Sequence, residues 1–197
     1  MTTEPHSAIR PWRVISSELV FDNRWARVRR DSCDLGNGVT IPDYFYWQGG
    51  DFVQVFALTT SGEVLLTRQY KHGVKEIVIE LPAGLIDLTD ESPLAAAKRE
   101  LSEETGYSGG RWTPLGILNV SSAKATTRAF SFLALEVMLV SQQQLDSTEQ
   151  IECLRVSQDS FMKMIVSGTI HDSSSLATSF LAFNAKEALG AQLGRLK

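Results

Sequence analysis

Residues 92–105 constrain the fold of this chain most strongly, because both ends of a helix and its buried face can be recognised in them. Ser92 can cap the first turn, Pro93 suits the first helical position, and Gly106 stands where a helix ends. The sequence therefore predicts one amphipathic helix in the middle of the chain. Its buried stripe recurs at spacings of three and four residues and comprises Leu94, Ala97, Leu101 and Thr105.

Three glutamates are predicted on the side of this helix opposite the buried stripe. Glu100 and Glu104 are one turn apart, and Glu103 lies at the edge of the same face. A divalent cation would offset their repulsion, since carboxylate oxygens suit Mg²⁺ or Mn²⁺, and Mg²⁺ is usually shared with substrate phosphates. Arg99 is a second candidate, because it can pair with Glu103 or Glu91. A simpler interpretation, a solvated acidic face, stays open at this level.

The flanking segments predict strands before and after this helix, and further helices at the end of the chain. Residues 12–48 contain short aromatic and β-branched patches around a Gly36-Asn37-Gly38 turn, which indicates a small antiparallel sheet. The fold class is therefore α/β: a mixed sheet in an α/β/α sandwich, preceded by that small N-terminal sheet. The predicted strands are 52–58, 63–70, 75–81, 129–140 and 151–156, and the predicted helices are 157–167 and 173–189.

Composition sets the broad class of protein. The 197 residues carry 19 basic and 23 acidic side chains, so the net charge of −4 offers no electropositive excess for nucleic acid. No apolar run is long enough to span a membrane. Two widely separated cysteines, Cys33 and Cys153, are interpreted as reduced thiols, and a cytoplasmic location is expected. We predict a flexible tail at residues 1–11, a small β subdomain at 12–50 and a main domain at 51–197.

The residues around the central helix resemble the Nudix box, the signature of the Nudix hydrolase family. The box requires a glycine, five residues, Glu, seven residues, Arg-Glu, an aliphatic, any residue, Glu-Glu, any residue, Gly and an aliphatic. Six residues rather than five separate the first glycine from Glu91, and Asp90 occupies the strictly counted position. Glu91 keeps the box's distance to the arginine, so the extra residue is assigned to the loop. The matching positions are Gly84, Glu91, Arg99, Glu100, Leu101, Glu103, Glu104, Gly106 and Tyr107.

Two further stretches, Arg68-Gln69-Tyr70-Lys71 and Glu80-Leu81-Pro82-Ala83-Gly84, resemble the ADP-ribose pyrophosphatase branch of that family. The resemblance implies that residues 51–197 are a Nudix hydrolase domain. It implies Mg²⁺-dependent hydrolysis, with Mn²⁺ as an alternative, of the diphosphate in ADP-ribose or a related nucleoside diphosphate sugar. The products would be a nucleoside monophosphate and a sugar phosphate. The N-terminal sheet resembles one that pairs subunits in this branch, which implies a homodimer.

The resemblance also implies a set of metal ligands and a proton acceptor. Glu100 and Glu104 would be ligands together with the backbone carbonyl of Ala83. Glu103 would be a further ligand or would help to activate water. Glu149, which lies on the loop two residues before the strand predicted at 151–156, would be the late acidic residue that completes the catalytic site.

The remaining implied roles concern the substrate and the helix. Lys71 stands where the branch usually has an arginine on the diphosphate, and a lysine keeps the charge without the bidentate fork. Glu80 would also contact the substrate, and Trp25 would stack on a base unless it is a packing aromatic. Arg99 would orient the helix and its carboxylates.

Two alternatives to ADP-ribose hydrolysis stay open. The loop at residues 120–128 has neither the proline nor the glycine that the branch commonly places before its late strand. GDP-mannose or another nucleotide sugar is therefore an alternative substrate. The second alternative is a non-catalytic Nudix domain that senses a nucleotide and regulates a partner. Degenerate box carboxylates would favour it, whereas all of them are present here.

Overall fold

A computed structural model describes residues 9–194, so residues 1–8 of the predicted tail lie outside the described residues. The described chain separates into two units, residues 9–49 with 121–127 and residues 50–120 with 128–194. The segment 121–127 joins the first unit because the amide of Trp47 donates to Lys124 O at 2.7 Å, and the hydroxyl of Tyr44 donates to Ala123 O. The sequence had assigned this segment to the main domain.

The first unit contains the predicted small antiparallel sheet. Its strands are β1 (Arg13–Asp22), β2 (Arg27–Asp34) and β3 (Thr40–Trp47), in the order β1-β2-β3. The loop between β2 and β3 turns at Gly36 and Gly38, whose φ values of 79° and 86° favour glycine. Every residue of β1 is exposed in the chain on its own.

The second unit is a mixed sheet between helices, as predicted. β4 and β10 are parallel neighbours, and the other paired strands run antiparallel. Its strands are β4 (Phe52–Thr59), β5 (Val64–Lys71), β6 (Glu76–Glu80), β7 (Ala83–Leu85), β8 (Tyr107–Ser108), β9 (Arg111–Asn119), β10 (Arg128–Leu139) and β11 (Ile151–Val156). Its helices are α1 (Pro93–Thr105), α2 (Gln158–Val166) and α3 (Ser173–Gly194), and no helix in residues 9–194 has the length and apolarity of a membrane span.

Alternation along β4 separates the two cores of this unit. Val53 and Val55 face one core together with Leu101 of α1, whereas Phe56 faces the other together with Phe161 of α2. This period of two is what a strand buried on both faces requires. The α/β/α arrangement is therefore confirmed, with α1 on one face of the sheet and α2 and α3 on the other.

Helix α1 has the predicted ends. The hydroxyl of Ser92 accepts the Ala95 amide at 3.1 Å, and Gly106 closes the helix at φ 77° while donating to Ser102 O at 2.8 Å. A Cβ on Gly106 would lie 2.3 Å from Ser141 O, so glycine is also required by space. The predicted stripe is buried, with Leu94 partly so.

The sequence patterns did not predict β7, β8 or β9. β7 has three residues and follows Pro82, and β8 has two, so neither has a readable period. β9 contains Pro114 and Gly116, and its pairing with β10 shifts register between Ser131 and Phe132. Proline is tolerated there because β9 lies at the edge of the sheet.

Candidate active site

Arg99 stands at the centre of the acidic cluster on α1. Its Nη1 donates to Glu100 Oε1 at 2.8 Å and to Glu103 Oε2 at 2.9 Å, so the predicted pairing with Glu103 is present. Its Nη2 donates to the carbonyl of Leu85 at 2.9 Å, which ties the helix to strand β7. Hydrogen bonds to Asp90 first, and then to Glu100 and Glu103, hold the pKa of Arg99 above its usual range.

The second anchor of Arg99 is Asp90 rather than Glu91. Arg99 Nε lies 3.1 Å from Asp90 Oδ1, and Nη2 lies 2.9 Å from Oδ2. These two hydrogen bonds from Arg99 lower the pKa of Asp90. Glu91, by contrast, is exposed to solvent. The loop turns back at Asp87, whose amide donates to Asp90 Oδ2 at 2.8 Å, and this turn presents the strictly counted residue to the arginine. The expectation that Glu91 occupies the first acidic position of the box is corrected accordingly.

Glu104, predicted on the helix face opposite the buried stripe, lies inside the protein. It is 3% exposed, and its Oε2 accepts the backbone amide of Ala83 at 3.0 Å. Burial raises its pKa to about 8, and the charges of Glu100 and Glu80 add to the effect. Strand β7 packs on this helix face, which the periodicity of the helix alone does not reveal.

Gly84 makes room for Glu100. A Cβ on Gly84 would lie 2.0 Å from the carboxyl carbon of Glu100, so a side chain there would displace the carboxylate. The side chain of Glu100 is 12% exposed, and burial raises its pKa. The backbone of β7 therefore approaches both predicted metal-binding glutamates, Glu100 at Gly84 and Glu104 at Ala83.

The loop that carries Glu149 is fastened to the last turn of α1. Gln143 Nε2 donates to the carbonyl of Glu104 at 2.5 Å, and the Gln144 amide donates to the carbonyl of Glu103 at 2.9 Å. Glu149 is exposed and accepts the amide of Asp146 at 3.0 Å. Its charge helps to raise the pKa of Glu100, after burial and the charge of Glu103. The sequence patterns had given no signal for the two glutamines.

Lys71 and Glu80, the two predicted substrate contacts of the second unit, meet in one cavity. Lys71 Nζ lies 2.7 Å from Glu80 Oε1, which also accepts from Gln69 Nε2 at 3.0 Å. Glu80 is 8% exposed, and burial raises its pKa. The cavity measures about 580 Å³, and Ala83 and Gly84 line it as well, so it adjoins the carboxylate cluster.

Trp25 belongs to the first unit. It is 76% exposed, with the Arg24 guanidinium 4.5 Å from its ring centroid. Its role as a base-stacking residue stays a prediction. Two cations of the loop at residues 120–128 have partners within the protein: Arg128 pairs with Asp51 at 2.6 Å, and the Lys124 ammonium lies 4.7 Å from the centroid of the Tyr44 ring.

The carboxylate cluster is a candidate site for a divalent cation. Among the side chains that the structure describes, those of residues 9–185, no group of three His, Cys, Asp or Glu is already arranged to hold a metal ion. Arg99 instead draws Glu100 and Glu103 to its own Nη1. The donor chemistry nevertheless fits, because hard oxygens from Glu100 and Glu104 converge on β7, and a cation would offset the cost of burying Glu104 as an anion.

A family model matches part of each unit. A family model described as "NUDIX domain" matches residues 51–165, and one described as "Nucleoside diphosphate sugar hydrolase N-terminal domain" matches residues 12–47. The chain is 28% identical to an "ADP-ribose pyrophosphatase" of Bacillus subtilis (strain 168), over 91% of this chain and 96% of the relative. It is 50% identical to an "ADP-sugar pyrophosphatase" of Mus musculus over 49% of this chain and 48% of the relative.

A solved structure described as "Crystal structure of ADP compounds hydrolase" has the same fold. It superposes with a TM-score of 0.80 and covers 94% of this chain and 97% of that one. Because the two sequences are 22% identical, this likeness shows the fold alone.

Proposed function

This chain belongs to the Nudix hydrolase family, and on that premise we propose that it is an Mg²⁺-dependent pyrophosphatase acting on ADP-ribose or a related nucleoside diphosphate sugar. The observation that carries the proposal is the burial of Glu100 and Glu104 against the Ala83–Gly84 backbone, beside a cavity large enough for part of a nucleotide sugar. The printed names of the Bacillus subtilis and Mus musculus relatives support this substrate class.

We assign the ion, with Mn²⁺ as an alternative, to Glu100, Glu104 and the carbonyl of Ala83, with Glu103 as a further ligand. When bound, a divalent cation neutralises the charge of a diphosphate and makes a water molecule more acidic. Glu149 takes the proton from the attacking water, and Glu103 is the alternative acceptor. The charges of both carboxylates help to raise the pKa of Glu100, after its burial.

The other proposed residues hold the substrate or the helix. Lys71 moves its ammonium from Glu80 to the diphosphate when the substrate enters, and Glu80 is then free to accept sugar hydroxyls. Trp25 stacks on the base. Arg99 orients α1, because it bonds at once to Leu85 O, Asp90 and the helix glutamates.

We also propose that the protein is a homodimer paired through residues 12–50, while residues 51–197 form the catalytic domain. The first unit exposes several large apolar side chains on its three-stranded sheet, which favours a partner over solvent. The exposed side chains include Val14 at 53%, Ile15 at 51%, Phe21 at 50% and Trp47 at 53%. A cytoplasmic location is proposed as well, supported by the free thiols of Cys33 and Cys153.

The test is product release from ADP-ribose, GDP-mannose, UDP-glucose, NADH and diadenosine polyphosphates, with Mg²⁺ and then with EDTA. Cleavage of ADP-ribose that EDTA abolishes is the expected result. Preference for GDP-mannose would favour the alternative substrate that the loop at 120–128 leaves open. Folded protein that cleaves none of these substrates with Mg²⁺ or Mn²⁺ would contradict the proposal and favour the nucleotide-sensing alternative.

A further inference from the structure

A buried polar network lies behind the candidate active site, between the sheet and helix α3. Its four side chains come from three elements and are at most 1% exposed: Gln54, Ser131, Ser175 and Thr178. Gln54 Nε2 donates to Ser175 Oγ at 2.9 Å, and the Thr178 hydroxyl donates to Gln54 Oε1 at 3.1 Å. The hydroxyl oxygens of Ser131 and Thr178 are hydrogen-bonded at 2.8 Å. Burying so many polar groups is costly unless each is satisfied, and the hydrogen bonds of this network supply the partners.

Ser175 differs from the other members because it also binds backbone. The amide of Leu81 donates to Ser175 Oγ at 3.0 Å across 94 residues of sequence. Leu81 and Pro82 connect β6 to β7, and this connector lies outside both strands. The hydroxyl of Ser175 on α3 therefore accepts the Leu81 amide, which has no partner within the sheet ladders of residues 9–194.

The connector links Glu80 to Ala83, the residue whose amide binds the carboxylate of Glu104. Glu80, which faces the cavity and Lys71, precedes Leu81 directly. Ala83, whose amide binds Glu104 at 3.0 Å, follows two residues later. A shift of the Leu81 backbone would therefore be passed to the residues that hold Glu104 and line the cavity.

Ser175 is itself held firmly. Its amide donates to Asp172 Oδ1 at 2.7 Å, and Asp172 Oδ1 also accepts the hydroxyl of Ser174 at 2.7 Å. The backbone carbonyl of Ser175 accepts a hydrogen bond from the hydroxyl of Ser179 at 2.7 Å, within the same helix. The first turn of α3 is therefore a rigid support for the connector.

We infer that Ser175 is a positioning residue for the metal centre, which acts by holding the Leu81–Ala83 backbone against Glu104. The inference rests on the proposed function for the identity of the centre. Residues behind metal ligands typically change metal affinity or activity by about 10-fold to 100-fold when they are removed. Because Ser175 acts through one backbone segment, we expect an effect near the lower end of that range.

The experiment compares Ser175→Ala with Thr178→Ala. Both substitutions remove one buried hydroxyl from the same network and the same helix, but only Ser175 contacts Leu81. Mn²⁺ binding is measured by electron paramagnetic resonance without substrate, together with kcat, KM and urea denaturation. Both variants should lose stability, whereas Ser175→Ala alone should bind Mn²⁺ about 10-fold more weakly and lose kcat with little change in KM.

A third variant, Ser175→Cys, keeps nearly the same volume but has a weaker acceptor, and its Mn²⁺ affinity should fall between those of the wild type and Ser175→Ala. If Ser175→Ala does not fold, the cysteine variant decides the question. Wild-type Mn²⁺ affinity in the folded Ser175 variants would overturn the positioning role while leaving the proposed function intact. Failure of the wild-type protein itself to bind Mn²⁺ would overturn the metal centre and this inference with it.

Discussion

Replacing Glu104 by glutamine should remove a pH-dependent cost from the metal-free protein. Burial raises the pKa of this carboxyl from 4.5 to about 8 in the folded chain. A folded-state pKa above the unfolded value means that the fold favours the protonated acid. Its stabilising contribution is therefore complete below pH 4.5 and is lost as the pH rises towards 8. The whole displacement corresponds to roughly 5 kcal/mol, of which about 3 kcal/mol falls between pH 5 and pH 8.

The assay is urea denaturation in EDTA at pH 5, 6.5 and 8 for the wild type and Glu104→Gln. Glutamine keeps the shape of the side chain and can still accept the amide of Ala83. The free energy of unfolding of the wild type should fall by about 3 kcal/mol more than that of the variant over this range. Adding Mg²⁺ at pH 8 should restore the loss in the wild type only. Parallel pH profiles for the two proteins would refute the reasoning, because they would show that Glu104 is not held as a buried acid.

Three further predictions concern Asp90, Gly84 and the response of Glu104 to Mg²⁺. Asp90→Asn should lower kcat/KM about 10-fold, because the freed Arg99 would hold the helix glutamates more tightly. In the same steady-state assay, the kcat/KM of the control Glu91→Gln should stay within about 2-fold of the wild-type value. Equal effects at the two positions would contradict a specific role for the Asp90–Arg99 pair in catalysis. Gly84→Ala should lower kcat by about 100-fold with a small change in Tm, since only the flexible end of Glu100 must move; an active variant would contradict the contact. Adding saturating Mg²⁺ to EDTA-treated wild type at pH 8 should raise Tm, and Glu104→Gln should respond less; equal responses would exclude Glu104 as a ligand.

The central helix was predictable because its signals are local. A cap at Ser92, a proline at the first position and a stop at Gly106 lie within one short segment, and the buried stripe repeats inside it. The resemblance to the Nudix box could assign metal-binding roles to the helix glutamates, because spacing along a helix determines which side chains share a face. The strands that alternate or run apolar over five or more residues were found for the same reason.

What escaped prediction depends on contacts between distant segments. Helical periodicity places Glu104 on a face but says nothing about the short strand β7 that covers it. Counting residues could not decide between Asp90 and Glu91, because the turn at Asp87 determines which of them reaches the arginine. Ser175 lies 94 residues from the amide that it binds, and a serine in a run of three serines carries no signal in the sequence.

The most direct test of the account is ADP-ribose hydrolysis by Glu104→Gln, with Glu91→Gln as the matched surface control. Both substitutions neutralise one glutamate of the box region, but Glu104 is buried against Ala83 and Glu91 is exposed. Phosphate-product release is measured with Mg²⁺ and again with EDTA, and folding is checked by circular dichroism. The account predicts that the wild type and Glu91→Gln are active and EDTA-sensitive, and that folded Glu104→Gln is inactive. Near-normal turnover by Glu104→Gln would contradict the proposed centre.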